Sequence, residues 1–173
     1  MAHVKRKTLV SAMGGKAADQ QAQEATQPAP SANMAVIFGY YGKFAQGDWE
    51  GLKRDSFHPD MTWNMPGHHP LAGAHKGVDA AIAFLRALYV AGVHVDNVHV
   101  GELDDGVTVC EKHLGHANVD GEEFSFPTCT TYEIRDGRIF NVQVHTGDPQ
   151  AAERFMWLRF PLKPVPERLE GNF

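Results

Sequence analysis

Between Ala35 and Ala45 the apolar and aromatic positions Ile37, Tyr40, Tyr41 and Phe44 recur at three- and four-residue steps, and Gly47 ends the run. That spacing predicts a helix with one buried face. Asp48 is placed to cap a short second helix through Leu52 to Phe57, which stops at His58-Pro59 because proline disfavours helical backbone in the residue before it. Met61 to Met65, bounded by Pro59 and Pro66, reads as a strand, and a Gly- and His-rich loop follows. From Asp79 to Leu88 the residues Ala80, Ile82, Ala83, Phe84, Leu85 and Leu88 cover one side and more of a third helix.

Beyond Gly92 the pattern becomes alternating and β-branched, predicting strands over Val93 to Val100, Val107 to Val119, Glu123 to Ile134 and Arg138 to Thr146. Asp105-Gly106, Asp120-Gly121 and Asp136-Gly137 punctuate them as hairpin turns. Helices followed by an antiparallel meander predict an α+β fold in which helices pack on one face of a bent sheet. Pro149 to Trp157 reads as a terminal helix. The expected organisation is an arm over 1–33, a domain over 34–158 and an extended tail over 159–173. The arm is small and polar in composition and cannot bury enough apolar area to order itself, although Thr8 to Met13 could dock on the domain or on a partner.

At 173 residues with 43% hydrophobic content the chain suits one core. The net charge of -5 comes with scattered basic residues, so nucleic acid is not an expected partner. No secretory h-region or membrane-length apolar run is visible, which predicts a cytoplasmic protein with no membrane partner. Two cysteines, Cys110 and Cys129, are too few for a disulfide framework and lack zinc-site spacing. No dinucleotide or phosphate loop occurs, so no cofactor is expected.

The stretches GDWEGLKRDSFHPDMTWNMPGHHPLAGAHKGVDAAIAFLRAL, DGVTVCEKHLGHANVDGEEFSFPTCTTYEIRDGRIFNV and GDPQAAERFMW resemble SnoaL-like proteins of the nuclear transport factor 2-like superfamily. The resemblance spans residues 35–157. It rests on the Gly-Asp after the first helix, the tryptophan shortly before Pro-Gly, PLAG then Gly before the third helix, and Asp-Gly-Arg-Ile at the last hairpin. It implies a cone-shaped curved antiparallel sheet with three N-terminal helices around a pocket. Relatives of this kind include polyketide cyclases, limonene-type epoxide hydrolases and ketosteroid isomerases, alongside members without known catalysis. The implied activity is cofactor-free acid and base chemistry (cyclisation, isomerisation, dehydration or epoxide opening) on a largely apolar, polycyclic or terpenoid-like small molecule. The alternative is a non-catalytic ligand-binding or interaction module, since a fold does not fix an activity.

By the same resemblance, Tyr40 is a hydrogen-bond donor into the pocket and Asn64 holds a water or a substrate oxygen, with Trp63 as a wall. His68, in the histidine loop that runs to His75, is a rim group that could contact substrate. A three-residue turn Val119-Asp120-Gly121 would set Lys112 opposite Thr128 and put Cys110, Lys112, Leu114 and His116 on one face with Phe126, Thr128, Thr130 and Tyr132, and the resemblance implies that this face lines the pocket. Lys112 stands near the arginine of epoxide hydrolases, and His116 would share the proton-carrying role.

The aspartate that relatives carry in the final strand falls here at Val144. A two-residue turn at Asp136-Gly137 would instead direct Asn141, Gln143 and His145 inward, because a one-residue slip exchanges the faces of a strand. His145 would then be the base, as histidine ordinarily titrates near neutrality. No metal site is expected, since His68 and His69 lack acidic or cysteine companions at ligand spacing. In the first register Cys110 and Cys129 lie on opposite faces and form no disulfide. The outer face, expected to carry His113, Cys129, Thr131 and His145, is uncharged enough to predict a homodimer.

Overall fold

The computed structural model describes Pro30 to Leu162; Thr8 to Met13 of the arm and the tail from residue 163 lie outside the described residues. The first helix, α1 (Ala32–Gln46), starts inside the stretch expected to be an arm. Ser31 is the reason: its side chain accepts from the Met34 N–H and supplies the N-cap. Gly47, at φ 66°, closes the other end in the left-handed conformation that glycine adopts without strain. A single turn, α2 (Trp49–Gly51), capped by Asp48, runs into a π-helical turn (Leu52–Ser56). The first strand, β1 (Phe57–Met65), begins earlier than expected, directly where that turn ends. The loop then contributes an edge strand, β2 (Gly73–Lys76), before α3 (Val78–Val90). The meander β3 (His94–Glu102), β4 (Thr108–Val119), β5 (Glu122–Arg135), β6 (Arg138–Thr146) and the helix α4 (Pro149–Arg159) complete the chain.

The six strands form one curved, unclosed sheet in the order β2-β1-β6-β5-β4-β3. All neighbours are antiparallel except β1 and β6, which run parallel. Its inner face carries Phe57, Met61, Trp63, Val109, Tyr132, Ile134, Ile139 and Val142, packed against Ile37 and Tyr40 of α1 and Ala81, Phe84 and Leu85 of α3. A second cluster joins Phe155 and Met156 of α4 to Phe124 and Phe126 at the far end of β5. Full burial of each large side chain contributes about 1.5–3 kcal/mol, which is why the amphipathic helices lie on this face.

Register decides which polar groups enter the interior, and both later hairpins differ from expectation. Asp120 and Gly121 have φ values of 53° and 89°. Positive φ at both positions makes a two-residue primed turn, so Val119 pairs with Glu122 and Lys112 with Cys129. Odd-numbered residues of β4 therefore point inward. Lys112, Leu114 and His116 lie on the outer face, and His113 lies on the inner one. Cys110 and Cys129 share the outer face as free thiols with their Sγ atoms 3.4 Å apart, which corrects the opposite-face placement.

The last hairpin also has a two-residue turn, with Asp136 and Gly137 at φ 51° and 69°. Ile134 pairs with Ile139, but Glu133 pairs with Asn141, so Phe140 is an extra residue in β6. This irregularity restores the other parity. Val144 then stands opposite Thr130 and faces inward, whereas His145 stands opposite Cys129, is exposed, and cannot serve as a pocket base.

This register makes a direct test possible. Val142→Asp would bury an unpaired carboxylate at a fully buried position and should cost at least about 3 kcal/mol in chemical denaturation. His145→Asp should change stability by no more than about 0.5 kcal/mol. Equal costs would contradict the bulge at Phe140.

Candidate functional site

Between α1, α3, α4 and the inner face of the sheet lies a cavity of about 100 Å³, several times the roughly 10–15 Å³ that one water needs. Most of its wall is apolar: Phe44 of α1, Trp63 and Met65 of β1, and Phe84, Leu85 and Leu88 of α3. Phe126, Ala152 and Met156 close the far side. Gly115 makes room there, because a Cβ at this position would come within 2.7 Å of the Phe126 ring. The polar lining is restricted to Tyr40, Tyr41, His113, Tyr132 and the threonines Thr128, Thr130 and Thr146.

Beneath that lining is Glu111, which is 0% exposed. An acidic side chain taken from water into such surroundings needs a compensating partner. His113, two residues along β4 and so on the same face, provides it: its Nδ1 lies 2.7 Å from Glu111 Oε1. A carboxylate can only accept, so the tautomer that fits this contact has its hydrogen on Nδ1 and leaves Nε2 free. The Tyr41 hydroxyl lies 3.4 Å from the same Nδ1. Tyr132 and Thr130 line the same cavity. The structure thus brings together an acid, an imidazole and three tyrosines around an otherwise apolar cavity.

Burial pushes the pKa of Tyr40, Tyr41 and Tyr132 well above the ordinary tyrosine value of 10.0. The neighbouring Glu111 charge acts in the same direction on all three. These hydroxyls therefore keep their protons and remain donors across the physiological range.

Of the residues expected at the site, Tyr40, Trp63, Thr128, Thr130, Tyr132 and Val144 line the cavity. Lys112, Leu114, His116 and His145 do not, for the reasons of register given above. Asn64 is also turned away: it follows the inward Trp63 on the strand, and its Nδ2 donates at 3.0 Å both to Asn141 Oδ1 and to the Val142 carbonyl. His116 is paired instead with Asp96, 3.2 Å away at the outer face. His68 is exposed, while the neighbouring His69 is buried, accounting for its depressed pKa, and lines a separate groove with Gln143 and Glu153. Asp148 caps α4, accepting from the Ala151 N–H. Among the described residues no group of three or more histidine, cysteine or acidic side chains is arranged to hold a metal, and no helix is long and apolar enough to cross a membrane. Glu111, His113 and Tyr41 were not anticipated at the site.

The tyrosine shifts set an alkaline limit on stability. Each pKa is higher in the folded chain than in the unfolded one, so the contribution is complete below about pH 10 and is lost as the pH rises above it. Three of the four tyrosines belong to this group. Ultraviolet titration of the native protein between about pH 10 and 12 should show no more than one tyrosinate per chain, with the remainder appearing only on unfolding. Early ionisation of two or more would show that the cavity is wet.

The SnoaL-like domain family matches residues 38–142. The uncharacterized protein Rv0034 of Mycobacterium tuberculosis is 28% identical over 127 residues, covering 72% of this chain and 95% of that one. Bal32a from a soil-derived mobile gene cassette superposes with a TM-score of 0.67 at 28% identity, over 72% of this chain and 96% of that one. Two more distant structures share the fold. A putative polyketide cyclase from Xanthomonas campestris has a TM-score of 0.59 at 18% identity, covering 74% of this chain and 96% of its own. An epoxide hydrolase of the LEH-like type from M. tuberculosis has a TM-score of 0.58 at 17% identity, covering 75% and 92%. With the family matched over more than half of its length and the cone described above, the chain belongs to the SnoaL-like domain family.

Proposed function

We propose that the protein is a cofactor-free enzyme that moves protons on a small, largely apolar substrate, with His113 as the proton carrier and Glu111 as the residue that positions it. The observation that supports this reading is the 2.7 Å contact from His113 to a fully buried carboxylate at the edge of an apolar cavity. Nε2 of His113 takes a proton from substrate carbon or from a bound water. The electron pair released moves onto a substrate oxygen, which a tyrosine hydroxyl, Tyr40 foremost, stabilises by donating a hydrogen bond. The imidazolium, held by Glu111, then returns the proton to another atom. Isomerisation, cyclisation and dehydration of an enolisable substrate can begin this way. In epoxide opening the water deprotonated by Nε2 bonds to an epoxide carbon as the carbon–oxygen bond breaks, and the pair from that bond goes to the epoxide oxygen, which takes the proton back from the imidazolium. The polyketide cyclase and epoxide hydrolase named above make such chemistry reasonable for the fold.

The second reading, a binding module without turnover, is favoured by Val144, which occupies the position where catalytic relatives are expected to carry an aspartate. The two are separated by assaying bicyclic epoxides and enolisable ketones for binding and conversion. On any substrate converted, His113→Ala should lower kcat at least about 100-fold and Tyr40→Phe about tenfold. Glu111→Gln should reduce kcat with little change in KM and displace the pH profile, because it acts through the imidazole. Tight binding without conversion, or full activity in His113→Ala, would sink the catalytic reading.

A further inference from the structure

On the outer face of the sheet, the two-residue turn at Asp120-Gly121 brings together the two cysteines of the chain. Cys110 pairs across the ladder with Thr131 and Lys112 with Cys129, so the cysteines are diagonal neighbours on adjacent strands. Their Sγ atoms lie 3.4 Å apart. That is about 1.4 Å more than the separation of two bonded sulfurs. Both residues are free and partly exposed, so a small reagent can approach the pair from solvent.

The neighbouring side chains favour thiol chemistry. Lys112 is the next outward residue after Cys110 on β4 and stands opposite Cys129, which places one cation beside both cysteines. His99 pairs with Lys112 and His145 with Cys129, so the row across β3 to β6 is basic and contains no acidic residue. Such surroundings favour a thiolate and draw an anionic reagent. The two sulfurs are not equivalent. Burial first, and then the hydrogen bond with Cys110, push the Cys129 thiol up to about 11. Cys129 therefore keeps its proton at neutral pH and can donate it to the Cys110 sulfur, which leaves Cys110 to react first.

We propose that Cys110 and Cys129 form a reversible dithiol–disulfide site whose co-reactant is a low-molecular-weight disulfide of the glutathione type. The Cys110 thiolate attacks one sulfur of that disulfide, breaking its S–S bond and expelling one small thiolate, which takes up a proton. Cys129 gives its proton to solvent and attacks the Cys110 sulfur, and the second small thiol leaves. Two protein thiols lose two electrons, and the small disulfide is reduced to two thiols. Diagonal neighbours in a sheet are spaced about 7–8 Å at Cα, wider than the roughly 4.4–6.8 Å usual for a disulfide, so β4 and β5 must draw together to close the bond. A bridge made against that resistance is easily reduced, which suits a reversible site rather than a permanent brace. The pair does not depend on the cavity being catalytic.

The test treats the native full-length protein with glutathione disulfide in excess over glutathione, quenches with acid, alkylates with N-ethylmaleimide under denaturing conditions and reads the intact mass. The expected product has lost two hydrogens and both alkylation sites, and exceeds the glutathione mixed disulfide at least about tenfold. Glutathione in excess should return it to two free thiols. In Cys129→Ser the mixed disulfide at Cys110 should accumulate, because no second thiol resolves it, whereas in Cys110→Ser the adduct should form at least about tenfold more slowly. If either variant fails to fold, the wild-type masses decide alone. Two thiols that both remain alkylatable, a mixed disulfide that persists in the wild type, a disulfide between chains, a bridge that glutathione does not reverse, or equal adduct rates in the two variants overturns the proposal.

Discussion

The hydrogen bond from His113 to Glu111 is the interaction on which the rest of the site depends, because it allows an acidic side chain to be enclosed at the edge of an apolar cavity. Leaving a buried ion without a partner costs several kcal/mol, a large share of the total stability of a domain. Once the pair is made, it fixes the tautomer of the imidazole and presents its second nitrogen as a base. It also raises the cost of ionising the tyrosines around it, so that the cavity wall carries donors near a single base. The rings of Phe44, Trp63, Phe84 and Phe126 surround these groups with an apolar wall.

The pair exists only in one register of the sheet. Glu111 and His113 are odd-numbered residues of β4, and a shift of a single residue would replace them with Lys112 and Leu114 on the inner face. The two-residue turn at Asp120-Gly121 prevents that shift, since both residues adopt positive φ and match the twist of the flanking strands. Phe140 does a comparable task in β6, adding one residue after an identical turn type and so directing Val142 and Val144 inward.

Much of the fold was legible because it follows from periodicity. The faces of α1 and α3, the four strands of the meander and the cap at Asp48 all rest on spacing or on turn residues that have one physical reading. Of the cavity residues, Tyr40 was reached through the resemblance, and Thr130 and Tyr132 because alternation along β5 sets even-numbered residues on one face, which the resemblance assigns to the pocket. Glu111 and His113 were missed through one turn length, although an Asp-Gly pair between alternating strands already favours the two-residue loop. Asn64 could also have been excluded, since it follows the inward Trp63 on the same strand. The bulge at Phe140 left no mark that distinguishes it from an ordinary strand residue, and β2 is held by pairing with β1 rather than by any pattern of its own.

The most direct measurement of the central claim is the state of one histidine ring. Long-range ¹H–¹⁵N correlation spectra of the native protein, with His113 assigned by substitution, report which ring nitrogen carries the hydrogen. His113 should carry its hydrogen on Nδ1, show a downfield proton there, and lose that proton signal in Glu111→Gln. A hydrogen on Nε2, or a ring that exchanges freely with solvent and is indifferent to Glu111→Gln, would contradict it.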